Sequence, residues 1–153
     1  MPLRDEINDA LKTAMKAGDK IRVSTLRLMN AAIKERDIQG RTAGRDAGAS
    51  DQQLIEVFAK MVKQRQESLA AYEQAGREDL ASQERKEMEI IQGYMPRQLS
   101  DEDVRREIDK LVKDTGAAGM KDMGKVMAAL KERYAGQVDM AKAGAIVKSL
   151  LGK

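Results

Sequence analysis

A chain of 153 residues that is 42% hydrophobic, 35% charged and only 3% aromatic is long enough to bury a core, and its aliphatic bias argues against a β-sandwich. With no Cys and no His, disulfide frameworks, thiolate and Ser-His-Asp nucleophiles and the usual zinc sites are excluded. A net charge of +3 leaves partner choice to where the charge sits.

The first predicted element carries Leu3, Ile7, Leu11 and Met15 at every fourth position, an amphipathic helix for Gly18 to end. Asp19 is placed to cap a second helix, from 20 to about 38, with Leu26, Met29 and Ile33 on one face and Arg27, Asn30 and Lys34 on another. Residues 39–50, QGRTAGRDAGAS, have glycines and no apolar period and read as a loop. Ser50 and Gln53 form a capping-box pattern ahead of a third helix, 51 to about 74, whose buried candidates are Leu54, Val57, Phe58, Met61, Val62, Leu69 and Tyr72. Gly76 closes it, and a fourth helix runs from about 78 to 94 with Leu80, Met88 and Ile91 inside.

At YMPRQLSDEDV, 94–104, Pro96 stops the fourth helix, while Ser100 has the chemistry of an N-cap that accepts from the Asp103 amide. Tyr94, Pro96 and Ser100 therefore mark a joint, a candidate hinge between 1–95 and 96–153. Three shorter helices follow, at 101–115, about 122–134 and 140–151. No segment alternates with period two. The expected fold is all-α, with two helical subdomains: about four helices, then a three-helix unit.

Charge is uneven between them. Residues 1–95 carry 16 Lys+Arg against 16 Asp+Glu, whereas 96–153 carry 12 against 9, and within 119–153 the count is 7 against 3. A basic end can recruit a polyphosphate, because neutralising phosphates releases counterions; the plainer alternative is a solvated surface.

The stretch GMKDMGKV, 119–126, fits a phosphate-binding loop until Val126 occupies the place of the required Ser or Thr, with no strand ahead of it. No nucleotide cofactor or metal is expected. Gly124 and Lys125 still fall in the first turn of a helix whose amides can meet a phosphate; alternatively, Gly124 lets two helices approach closely. Glu84, Glu87, Glu89 and Asp101, Glu102, Asp103 read as solvating charges and caps, so no catalytic residue is assigned. The stripe Arg27, Asn30, Lys34 reads as a solvated face, given Glu35 and Asp37 beside it. Phe58, Tyr72, Tyr94 and Tyr134 are too scattered to stack single-stranded bases, so any nucleic-acid contact should read the backbone of a folded RNA.

KQRQES (63–68), YEQAGREDLASQE (72–84), YMPRQLSDEDV and DMGKVMAAL (122–130), in this order, resemble the GatB/YqeY family of small bacterial proteins, in its stand-alone YqeY-like branch. The resemblance implies that the C-terminal part is related to the tail of the B subunit of glutamine-dependent aspartyl/glutamyl-tRNA amidotransferase, a tRNA-binding appendage. It also brings the family label of carbon-nitrogen ligase with glutamine as amido-N-donor, although no amidase signature is present here. Met123, Gly124, Lys125, Val126 and Met127 match the tail's core motif; Gly136, Asp139, Ile146 and Val147 resemble its closing helix. Where related sequences have a basic residue after the glycine this chain has Gln137, and where they have Gly after the aspartate it has Met140.

The expectation is thus a cytoplasmic tRNA-binding accessory protein with no membrane partner. Lys121, Gly124, Lys125, Lys131, Arg133, Lys142 and Lys148 are the RNA-contact candidates. The alternative is a helical module that docks on a tRNA-modifying or aminoacylation-related enzyme.

Overall fold

The computed structural model describes residues 2–42, 44, 48–134 and 136–152, and among these there are seven α-helices, one 3-10 turn and no strand. They form two compact units, Met1–Met95 and Pro96–Lys153.

The first unit holds α1 (Leu3–Ala17), α2 (Lys20–Thr42), α3 (Asp51–Gln74) and α4 (Glu78–Gln92). α1 packs on α2, and α4 packs on both α2 and α3. Ile7, Leu26, Met29, Leu54, Phe58 and Ile91 are fully buried between them. Local chemistry sets the helix ends. Asp19 Oδ1 accepts from the Arg22 amide at 3.1 Å, and the Ser50 hydroxyl accepts from Gln53 N at 3.2 Å while the Gln53 side chain accepts from Ser50 N at 2.9 Å. Left-handed Gly18 ends α1, as its position in the sequence predicts.

Two expectations change. A strict four-residue repeat drifts about 40° per step against the helical turn, so Leu3 and Ile7 are buried, Met15 is 53% exposed, and Ala14 takes the core position. α2 also runs past 38 to Thr42, because Gly40 falls on the buried face, and tertiary packing there outweighs its weak helix propensity. The segment 39–42 is therefore helix; 43 and 45–47 of the expected loop lie outside the described residues.

The end of that connection is held by a charged clamp. Arg4 Nη1 donates to Asp37 Oδ2 at 3.0 Å and Arg4 Nη2 to Ala49 O at 2.9 Å, while Ala49 N donates to Asp37 Oδ1 at 2.8 Å. The Arg4 hydrogen bond and then the Ala49 amide hold the Asp37 carboxyl below its ordinary range. Gly48 sits against this clamp with φ +78°, a left-handed conformation that favours glycine, and a Cβ there would lie 3.2 Å from both Arg4 Nη2 and Asp37 Oδ1, so the clamp would have to give way slightly.

Thr25, on the core face of α2, is fully buried, and its hydroxyl has no hydrogen-bond partner among the described residues. A buried unpaired hydroxyl costs its desolvation without recompense. Thr25→Val keeps the shape and removes the polar atom. It is expected to stabilise the first unit by about 1 kcal/mol, read as a higher denaturant midpoint at unchanged slope.

The second unit consists of α5 (Asp101–Thr115), a 3-10 turn (Met120–Asp122), α6 (Met123–Tyr134) and α7 (Met140–Leu151). Ile108, Val126, Leu130, Ala143 and Val147 are fully buried in its core. The Ser100 hydroxyl caps α5 by accepting from Asp103 N at 3.1 Å, with Asp101, Glu102 and Asp103 filling the first turn as the helix dipole favours.

Candidate nucleic-acid interface

α6 and α7 form an antiparallel hairpin. The methyl groups of Met127 and Met123 lie 3.8 and 3.9 Å from where a Cβ on Gly144 would stand, and Gly152 comes similarly close to Met120 Sδ at 3.9 Å. Three acids accompany these helices, and two are spent on backbone. Asp122 Oδ2 accepts from Ala118 N at 3.0 Å, and Asp139 Oδ1 accepts from Ala141 N at 2.9 Å and Lys142 N at 3.4 Å, capping α7. The third is Glu132, on the outer side of α6.

The candidate cations follow from helical register, about 100° per residue. With Val126 and Leu130 facing the core, Lys125 falls on the outer crest of α6, and Gly124 and Lys131 on the flank beside α7. On α7, Ala143 and Val147 face inward, so Lys148 takes the flank beside α6 and Lys142 the outer crest. Lys121 lies in the 3-10 turn, which packs against α7. All five lysines are exposed. Among the described residues, Lys121, Lys125, Lys142 and Lys148 have no acid within ion-pair distance.

Arg133 does not join them, contrary to expectation. Two residues past Lys131, it is turned about 160° round the helix, toward α5, where Nη1 lies 3.8 Å from Asp114 Oδ2. The remaining cations cover a broad face rather than a narrow stripe, since Lys125 and Lys131 differ by about 120°, as do Lys142 and Lys148.

Gly124 also departs from one expectation. A Cβ there would meet nothing within 4 Å, so close helix approach does not explain it; Gly144 is the glycine on the seam. Nor are all first-turn amides of α6 open to an anion. Asp122 N already donates to Gly119 O at 2.9 Å and Met123 N to Met120 O, because the 3-10 turn leads straight into the helix.

Gln137 serves as a structural bridge. Its carbonyl accepts from Leu99 N at 2.8 Å, its side chain donates to Arg97 O at 3.1 Å, and the Gln98 amide donates to Gly136 O. Residues 97–99 are thus stapled to the turn before α7. Of the three joint residues, Tyr94 packs on the core of the first unit, Ser100 caps α5 in the second, and Pro96 begins the second unit.

α5 and α6 are tied by Tyr134, whose hydroxyl donates to Glu107 Oε2 at 2.5 Å, with Lys110 Nζ at 3.4 Å from Glu107 Oε1. The tyrosine hydrogen bond, followed by the Lys110 charge, holds the Glu107 carboxyl below its usual range, and the same bond raises the Tyr134 phenol. A depressed carboxyl adds stability that is present above its unfolded value, near ~4.3, and lost as pH falls through the folded value. Unfolding followed between about pH 5 and 3 should therefore show a shallower loss of stability for Tyr134→Phe than for the parent protein.

An open groove of about 540 Å³ between α5 and α7 is lined by Arg105, Arg106, Asp109, Ala145, Ile146, Ser149 and Leu150. Arg106 is paired with Asp103 at 3.7 Å and Asp109 with Lys113 at 3.8 Å, and among the described residues no hydrogen bond joins Ser149 to Asp109. Among the described residues no group of three or more acids is placed to hold a metal ion, and no helix is long and apolar enough to cross a membrane.

The model of the Yqey-like protein family matches residues 4–151, and the chain belongs to that family. Similar curated proteins include fungal sequences named altered inheritance of mitochondria protein 41, mitochondrial. That of Eremothecium gossypii is 39% identical over 85 residues, 56% of this chain and 44% of the relative. The protein of Vanderwaltozyma polyspora is 31% identical over 120 residues, 74% and 62% of the two chains, and that of Clavispora lusitaniae 33% over 109 residues, 70% and 61%. The aligned part is thus about half to three fifths of each relative's length. These names overturn the expectation of a cytoplasmic, bacterial protein: the relatives are fungal and mitochondrial. A cysteine-free composition and a lack of long apolar helices do not distinguish the two compartments.

Proposed function

We propose that this member of the Yqey-like family is an RNA-binding accessory protein whose α6–α7 face holds the phosphate backbone of a folded tRNA. The observation that carries the reading is the charge imbalance of that hairpin: four exposed lysines without an acidic partner among the described residues, beside two acids already bonded to backbone amides. The aromatics point to backbone recognition. Phe58 is fully buried, Tyr72, Tyr94 and Tyr134 are half-buried, and the Tyr134 hydroxyl is engaged by Glu107, so no platform for stacked bases stands beside the lysines. Asp19, Asp122 and Asp139 accept from backbone amides, and Asp37, Glu87 and Asp114 pair with arginines, which suits an accessory role better than an enzymatic one.

Filter-binding of the pure protein to total tRNA over a range of salt concentrations tests this. Five lysines on phosphates contribute about −4 to the log–log salt slope. Absence of binding at low salt, or binding indifferent to salt, ends the reading. Gly124→Ala gives a second, local test. None of the described residues requires glycine there, so alanine is expected to stabilise α6 by about 0.5 kcal/mol while weakening tRNA binding severalfold, because its methyl stands where a phosphate approaches Lys125. Unchanged affinity by titration removes Gly124 from the interface.

A further inference from the structure

The balanced charge of the first unit conceals a basic helix. α2 carries six Lys and Arg against Glu35 and Asp37, and Asp37 is taken by Arg4. Four of the cations, Lys20, Arg27, Lys34 and Arg41, recur at every seventh residue. Seven residues bring a helix back to within about 20° of its starting direction, so these four form one row about 31 Å long with steps of about 10 Å. All four are exposed, and none has an acid within ion-pair distance among the described residues. The row faces away from the core, since Thr25, Leu26, Met29 and Ile33 hold the opposite side of α2.

We propose that this row is a second RNA-contact surface, one whose cations, about 10 Å apart, meet phosphates at intervals along a folded RNA; the proposal rests on the RNA-binding reading given above and extends it to the first unit. Long-range cation spacing on a rigid helix suits a polyanion whose charges are continuous along its length. A partner protein helix is less well served. The face beside the row does expose Leu28 and Ile38, at 47% and 59%, but Ser24, Glu35 and Thr42 interrupt them at the positions a helical seam needs apolar. Electrostatics is therefore the extended feature of this surface.

The test uses the full chain and total tRNA, with Arg27→Glu/Lys34→Glu compared with the parent protein. Arg27→Gln/Lys34→Gln serves as a second variant should reversal disturb folding, which circular dichroism monitors. The salt slope should fall by about 1.5 for the neutralised pair, and affinity near 100 mM salt should drop more than tenfold for the reversed pair. Slope and affinity equal to the parent's, while lysine variants of α6–α7 weaken binding, overturn the α2 surface and leave the reading of the second unit standing. A parent protein that binds no tRNA at low salt removes both. An unchanged RNA titration coupled with loss of a nuclease-resistant protein complex in pull-downs identifies an acidic protein partner instead, and equally overturns the proposal.

Discussion

Glu87→Ala is expected to destabilise the first unit by about 3 kcal/mol, lowering its melting temperature by about 15 °C. Arg65 Nε donates to Glu87 Oε2 at 3.0 Å, and the two side chains are only 14% and 11% exposed. Arg65 Nη1 also donates to Met61 O at 3.2 Å, and the Gln83 amide donates to Glu87 Oε1 at 3.4 Å, so the pair is stitched into α3 and α4 from both sides. Burial, and then the neighbouring Glu87 charge, raises the carboxyl of half-buried Glu84 beside this pair. Removing one partner leaves the guanidinium buried without its counter-charge, and that is where the cost arises. Arg65→Met/Glu87→Leu, which removes both charges and restores volume, should return close to the parent's stability. Thermal and denaturant unfolding of the three variants measures this; a loss below about 1 kcal/mol for Glu87→Ala means that the pair behaves as a solvated surface contact.

Reversing Lys125, Lys142 and Lys148 to glutamate together is expected to cut tRNA affinity near 100 mM salt at least a hundredfold and to lower the salt slope by about 2 to 3. These three are exposed and unpaired among the described residues, so reversal breaks no ion pair and buries no new charge. Arg133→Glu is the geometric control. It changes net charge in the same direction but acts on the side of α6 that faces α5, where its partner is Asp114 at 3.8 Å. Its effect on affinity should stay within a few-fold. Equal damage from Arg133→Glu and from a single lysine reversal would show that overall charge, not a face, attracts the RNA.

Elements whose ends depend on neighbouring residues were legible before any coordinates. Ser50 with Gln53 and Ser100 with Asp103 each pair a side-chain oxygen with the amide three residues on, so spacing alone names the partners, and Asp19, placed as a cap by its position, makes the same bond to the Arg22 amide. The all-helical class followed from periodicity and composition in the same way. Glu87 was not legible as a paired acid, because its charge partner, Arg65, lies 22 residues away on α3. The clamp of Arg4 on Asp37 spans 33 residues and left no local trace.

The candidate site divides along the same line. That 119–153 carries a basic surplus is a property of the amino-acid order, and so is the seven-residue recurrence of cations along α2. Asp122 and Asp139 turn their charge onto backbone amides two to four residues away, which is local too, whereas packing alone decided that Arg133 faces Asp114 and that Gly144 and not Gly124 sits on the seam. Hydrogen bonds within a turn act over a few residues and are written into adjacent positions. Charge exposure and pairing depend on which helix comes to lie beside which, and that is settled only when the cores close.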